Sequence, residues 1–127
     1  MNLIEKELIE KIINAFYEVY NTLIYGFLEK VYEHALYKEL NNRGFHVSRQ
    51  EPIGVLYKGQ KVGEYYADLV VEGKVILELK ASESICDEHK YQLINYLKAT
   101  NIEVGLLFNF DRKPQFDRKV FQNKNKI

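Results

Sequence analysis

Residues Glu64–Ala81 read EYYADLVVEGKVILELKA, and the parity of this stretch decides the fold. Two runs, Glu64 to Val71 and Lys74 to Ala81, flank Glu72-Gly73, a hairpin signal. On the first run Tyr65, Ala67, Leu69 and Val71 face one way, and Glu64, Tyr66, Asp68 and Val70 the other. On the second, Val75, Leu77 and Leu79 share a face opposite Lys74, Ile76, Glu78 and Lys80. The apolar faces must coincide to build a core, because a one-residue slip would bury charges instead. A three-residue loop meets that requirement. It places Asp68, Glu78 and Lys80 on one common face, with Asp68 opposite Glu78 or diagonal to it. Directly opposed Cβ atoms stand about 4.5–5.5 Å apart, so two carboxylates there repel unless something positive lies between them.

Outward from the hairpin, the pattern is helical before and mixed after. Leu8, Ile9, Ile12, Ile13, Phe16, Val19, Tyr20 and Leu23 recur at three- and four-residue steps, an apolar helical stripe. A second helix is predicted from about Phe27 to Asn42, stopped by Arg43-Gly44. His46 to Ile53 reads as a strand closed by Pro52, and Val55 to Tyr57 turns through Lys58-Gly59 towards Val62. Cys86 to Thr100 returns to helical spacing, Glu103 to Phe110 is a mostly apolar strand suited to a sheet interior, and an edge strand is expected around Lys119 to Phe121. The order helix, helix, strands, helix, strand predicts an α/β domain with a mixed sheet, one unit over 1–127.

Composition narrows the classes. The chain has 127 residues, 46% of them hydrophobic, which is enough for a core and excludes wholesale disorder. No apolar run reaches the roughly 20 residues of a membrane-spanning helix, and acids interrupt the N-terminal MNLIEKELIEK, which argues against a secretory signal. One cysteine, Cys86, excludes a disulfide framework, so a cytoplasmic setting is expected. Eighteen basic and 18 acidic residues cancel globally. Locally, residues 111–127 hold six basic and two acidic groups, so Arg112, Lys113, Arg118 and Lys119 are candidates for part of a phosphate-backbone grip.

A divalent cation would resolve the repulsion between Asp68 and Glu78. Mg²⁺ and Mn²⁺ favour carboxylate, carbonyl and water oxygens, and Mg²⁺ characteristically uses one or two protein carboxylates. Such an ion lowers the pKa of bound water and polarises a phosphoryl oxygen, with Lys80 in reach of either. A surface salt bridge is the bland alternative. Glu29 shares a helical stripe with Tyr32, Leu36 and Leu40, where an acid is costly unless paired or metal-bound. Gln92 and Tyr96, four apart, lie on one helix face, with His89 nearby. Each of these also has a structural reading as a cap or packing residue.

These residues together resemble a known family. Gly26-Phe27-Leu28-Glu29-Lys30-Val31-Tyr32 is similar to the G-x-x-E-x-x-Y signature of the GxxExxY proteins. Asp68 followed by Glu78-Leu79-Lys80 resembles the D…E-x-K core of the PD-(D/E)xK nuclease superfamily, and Gln92 to Tyr96 the Q-x-x-x-Y motif of its RecB-like branch. The resemblance departs at Ile24-Tyr25, where a glycine-rich turn is common, and at Tyr66, where a basic residue commonly stands. It implies a restriction-endonuclease-like three-layer core, a mixed β-sheet flanked by helices. It further implies Mg²⁺ or Mn²⁺ held by Asp68, Glu78, the Leu79 carbonyl and Glu29, with Lys80 catalytic and Tyr32, Gln92, Tyr96 and His89 towards substrate. The expected activity is metal-dependent phosphodiester hydrolysis in nucleic acid, DNA ahead of RNA. A catalytically silent nucleic-acid- or protein-binding module on the same fold is the alternative. A homodimer is expected if both strands of a duplex are cut.

Overall fold

In the computed structural model, which describes residues 4–126, the chain forms α1 (Lys6–Leu23), α2 (Glu29–Asn42), β1 (Val47–Tyr57), β2 (Gln60–Val71), β3 (Val75–Lys80), α3 (Asp87–Lys98), β4 (Val104–Phe110) and β5 (Pro114–Val120). The strands form one sheet in the order β1-β2-β3-β4-β5. Every neighbouring pair is antiparallel except β3 and β4, which run parallel. Parallel neighbours need a crossover, and α3 supplies it. Among the described residues no helix is long and apolar enough to cross a membrane.

The sheet divides two cores. Leu69, Val71, Val75, Leu77, Leu79, Leu106 and Phe108 pack against Ile12, Phe16, Val19, Tyr32, Leu36 and Leu40 of α1 and α2. Val70, Ile76 and Leu107 pack against Leu93, Tyr96 and Leu97 of α3. Three layers result, helices on both faces of a mixed sheet. The parity argument explains why: the apolar face of the hairpin is the α1/α2 side, while Val70 and Ile76 mark the α3 side. The turn is the expected three-residue loop. Glu72 and Gly73 have φ of 55° and 64°, and Lys74 N–H donates to the Val71 carbonyl at 2.9 Å, the positive-φ geometry that suits a twisted ribbon.

Several expectations need correction. The strand predicted to close near Pro52 instead continues through it, from Val47 to Tyr57, because β1 is the sheet edge and an edge strand tolerates a missing N–H. The second strand begins at Gln60, not at Glu64, since the Lys58-Gly59 turn folds β2 straight back onto β1. The edge strand forecast at Lys119 to Phe121 is Pro114–Val120, paired along β4 from Phe110 to Val104. The hairpin parity differs too: Ala67 packs on the α3 side although Leu69, two residues on, packs on the α1/α2 side. Strict alternation therefore fails around Asp68.

One close approach fixes α3 on the sheet. A Cβ built on Gly105 would stand 2.6 Å from Leu93 Cδ1 and 3.2 Å from the Ile76 carbonyl oxygen, so only glycine admits the helix at this depth. Beyond β3, the fully buried Asn109 holds the loop. Its Oδ1 accepts from Ser82 N–H at 3.0 Å and its Nδ2 donates to the Ser82 carbonyl at 2.9 Å. That anchor lies two residues past Lys80, the last residue of β3.

Candidate active site

Asp68 stands where β2 parts from both neighbours. The β2–β3 ladder runs from Val71–Val75 to Leu69–Leu77 and stops there. In place of the next rung, side chains take over: Asp68 N–H donates to Glu78 Oε2 at 2.7 Å, and Leu79 N–H donates to Asp68 Oδ2 at 2.8 Å. On the other edge, the rung between Arg49–Leu69 and Glu51–Ala67 is absent, where Gln50 faces Asp68 with φ of 51°. The sheet opens on both sides of one aspartate. Each carboxylate thereby commits one oxygen to backbone; of the other two, Glu78 Oε1 has no hydrogen bond and Asp68 Oδ1 has only a long 3.5 Å contact from Gln50 Nε2.

The electrostatics of the pair are unfavourable as it stands. Burial, and then the Asp68 charge, push the Glu78 carboxyl up to about 8. Burial raises Asp68 as well, opposed by the Leu79 N–H bond. Desolvation and a like charge both disfavour the ionised form, and hydrogen bonds to it only partly offset them. Lys80, half-buried and on the same face, lowers both acids. The hairpin thus brings Asp68, Glu78 and Lys80 together.

The helical acid is not where the stripe pointed. Glu29 is exposed in the first turn of α2, and its charge is the smallest of the named influences on Asp68. Glu33, one turn on, is only 3% exposed. Its Oε2 accepts from Arg49 Nε at 3.3 Å and its Oε1 from Gln50 Nε2 at 2.8 Å. Its charge raises both Asp68 and Glu78. Glu33, Leu36 and Leu40 follow the same three- and four-residue steps, so this second acid was visible in the spacing.

Tyr32, expected towards substrate, is a pin for its own loop. It is wholly buried, stacked on Phe110 with centroids 4.1 Å apart. Its hydroxyl donates to the Ile24 carbonyl at 2.6 Å and accepts from Phe27 N–H at 3.1 Å. The seven-residue signature closes on itself: Gly26, with φ of 113°, makes the turn, and Tyr32 ties the residues on either side of it. With its proton committed to Ile24 and its side chain wholly buried, Tyr32 has no donor to offer a ligand.

On α3, Gln92 Nε2 donates to the Tyr96 hydroxyl at 2.9 Å. Burial, then the Glu78 charge, push Tyr96 up to about 12, so its proton stays on. With the oxygen already accepting, the Tyr96 O–H proton is free to donate. Both residues line a groove between α3 and the β1–β2 ribbon, walled also by Gly54, Tyr65 and Asn95. His89 Nδ1 faces Cys86 N–H at a long 3.5 Å, at the start of α3. The basic residues of the tail do not gather. Arg112 and Lys113 are exposed between β4 and β5, Arg118 donates to the Ile4 carbonyl at 3.2 Å, and Lys119 pairs with Asp117 at 3.3 Å. Adjacent positions on a strand face opposite ways, so Arg118 and Lys119 cannot share a surface.

Residues 6–120 match the PD-(D/E)XK nuclease superfamily. The chain belongs to this superfamily. Three solved chains also match, among them the crystal structure of SSO0001, with a TM-score of 0.59 and 18% identity over 73% of this chain and 50% of that one. At that identity the likeness concerns the fold, and the chain spans about half the length of that structure. No curated protein matches it.

PD-(D/E)XK nucleases generally depend on divalent metal, and the donor set here fits such an ion. Among the described residues no three His, Cys, Asp or Glu side chains converge. Mg²⁺ nonetheless needs only one or two protein carboxylates, with water and substrate oxygens completing its shell. Glu78 Oε1 and Asp68 Oδ1, the latter met only by the long Gln50 contact, are the oxygens that no backbone N–H engages. A strand residue sends its N–H and C=O to the same side, so the Leu79 carbonyl leaves towards the edge where its N–H meets Asp68. All three are hard oxygen donors, and a bound cation would relieve the penalty that raises both carboxyls.

Proposed function

We propose that this PD-(D/E)XK chain is a Mg²⁺- or Mn²⁺-dependent nuclease of the GxxExxY, RecB-like kind that hydrolyses phosphodiester bonds, DNA before RNA. The observation that carries the reading is the Asp68–Glu78 pair: two adjacent, mostly buried acids, each bonded to the other's strand, both raised first by burial, Glu78 then by the Asp68 charge and Asp68 by Glu33. Such a pair is costly for stability and suits a cation. When bound, the ion would supply a water of lowered pKa and charge stabilisation at the phosphoryl oxygen.

The chain's own groups would do the rest. Asp68, Glu78 and the Leu79 carbonyl would hold the ion. The Lys80 ammonium, beside the pair, would donate to the attacked phosphate and orient the attacking water. Tyr96, with its oxygen occupied by Gln92, would donate its proton to a phosphate oxygen in the groove, and Gln92 would keep the ring in that rotamer. Glu29, exposed at the start of α2, would reach an outer-shell water and not the ion itself.

The test is a cleavage assay on single- and double-stranded DNA and RNA with Mg²⁺ and Mn²⁺. Wild type should cut at least one DNA substrate, and Lys80→Ala should slow it about 100-fold or more. Sedimentation with and without duplex tests for a homodimer. Binding without turnover, indifferent to chelator and to Lys80→Ala, would favour a silent binding module.

A further inference from the structure

Gln50 is the one residue of β1 with a positive φ. A left-handed backbone inside a strand is unfavourable for any residue with a side chain, and it persists only where the surroundings enforce it. The surroundings here are acidic. Gln50 Nε2 donates to Glu33 Oε1 at 2.8 Å and stands 3.5 Å from Asp68 Oδ1. Glu33 is buried on α2 and steadied by Arg49, and its charge bears on both Asp68 and Glu78. The Gln50 amide therefore stands between a buried carboxylate and the aspartate. An amide nitrogen has two N–H donors, so it can serve the short bond to Glu33 and the longer contact to Asp68 together.

Two features that look unrelated share this cause. The rung missing from β1–β2 is the one at Gln50 and Asp68, and the hairpin alternation fails at the same place. A regular strand residue opposite Asp68 would restore the ladder. It would also leave the Glu33 carboxylate facing Asp68 with no donor between them.

We propose that Gln50 is a positioning residue. Its left-handed backbone places the amide between Glu33 and Asp68, and so holds Asp68 against the Leu79 N–H with Oδ1 turned to the cation site. The cation part of this claim rests on the nuclease reading above; the placement of Asp68 does not.

Glycine at this position accepts the backbone without strain but removes the amide, so Gln50→Gly separates the two contributions. Three readings are taken: melting temperature without metal, hydrogen exchange of the Leu79 amide by NMR, and the Mn²⁺ concentration giving half-maximal thermal stabilisation. Gln50→Gly relieves the backbone but leaves the buried Glu33 carboxylate without its donor, so it should melt below wild type, and adding Glu33→Gln should restore most of the loss. Its Leu79 amide should exchange about tenfold faster and its Mn²⁺ midpoint should rise by about tenfold or more, the usual effect of losing a residue that orients a ligand. Adding Glu33→Gln should bring the midpoint back towards wild type, because the charge that the amide separated is gone.

An unchanged Leu79 amide or an unchanged Mn²⁺ midpoint overturns the proposal. So does a fall in melting temperature that tracks the metal loss and is not reversed by Glu33→Gln, which would make Gln50 only a structural residue. If wild type shows no Mn²⁺ response at all, the nuclease reading fails instead, and the Leu79 amide alone decides the role of Gln50.

Discussion

Titrating the metal-free protein from about pH 5 to about pH 9 should weaken it, the reverse of the usual behaviour of acids in folded proteins. Glu78 is displaced from 4.5 to about 8 by burial and by Asp68. In the unfolded chain the carboxyl gives up its proton near 4.5, while in the folded chain it holds it to about 8. Below the unfolded value both states carry the proton and stability is complete. Across the window between the two values the unfolded state binds fewer protons, so stability falls with rising pH. At 1.36 kcal/mol per pH unit the limit is roughly 5 kcal/mol. Relaxation and water entry in the folded state bring a realistic loss to about 2–4 kcal/mol, or about 10 °C in melting temperature for a chain of this length. Glutamine at 78 keeps an oxygen for the Asp68 N–H and does not titrate. Glu78→Gln should therefore melt like wild type near pH 5 and well above it near pH 9. Circular dichroism melts in chelator, repeated in excess Mg²⁺, give the comparison; the cation should flatten the wild-type profile. Wild-type and Glu78→Gln curves that run parallel from about pH 5 to about pH 9 would refute the reasoning.

Other outcomes follow from single contacts. Gly105→Ala should cost about 1–3 kcal/mol in urea unfolding, because its Cβ would meet Leu93 at 2.6 Å and the Ile76 carbonyl at 3.2 Å in a filled core. Tyr32→Phe should cost about 1–3 kcal/mol by the same measurement, since the Phe27 N–H and the Ile24 carbonyl both lose their partner. Asn109→Ala should destabilise by a similar amount and speed hydrogen exchange at Ser82, whose N–H and C=O it now holds.

How much the sequence discloses varies by element. The 64–81 hairpin was readable because strands alternate with period two and only one register hides Leu69, Val71, Val75, Leu77 and Leu79 together. The structure has that register and loop length. The α1 stripe was readable for the same reason at a period of 3.6. What failed were places where a tertiary contact overrides a local rule. Pro52 reads as a strand end, yet only the edge position of β1 decides whether a missing N–H matters. Alternation predicts Ala67 beside Leu69, but the left-handed Gln50 breaks it, and nothing in the letters SRQEP announces a positive φ. Spacing pointed to Glu29, although Glu33 fits the steps to Leu36 and Leu40 equally well. Arg49 and Gln50 decide between them, since they supply the donors that allow a carboxylate to be buried on α2. Tyr32 stood in a recognisable motif, but a motif does not say whether a hydroxyl faces a ligand or the chain.

The most direct trial of the account is anomalous diffraction from crystals soaked in Mn²⁺. A peak about 2.0–2.6 Å from carboxylate oxygens of both Asp68 and Glu78 is the predicted result. Manganese peaks found only elsewhere on the protein, with the two acids still bonded to each other's backbone, would contradict it.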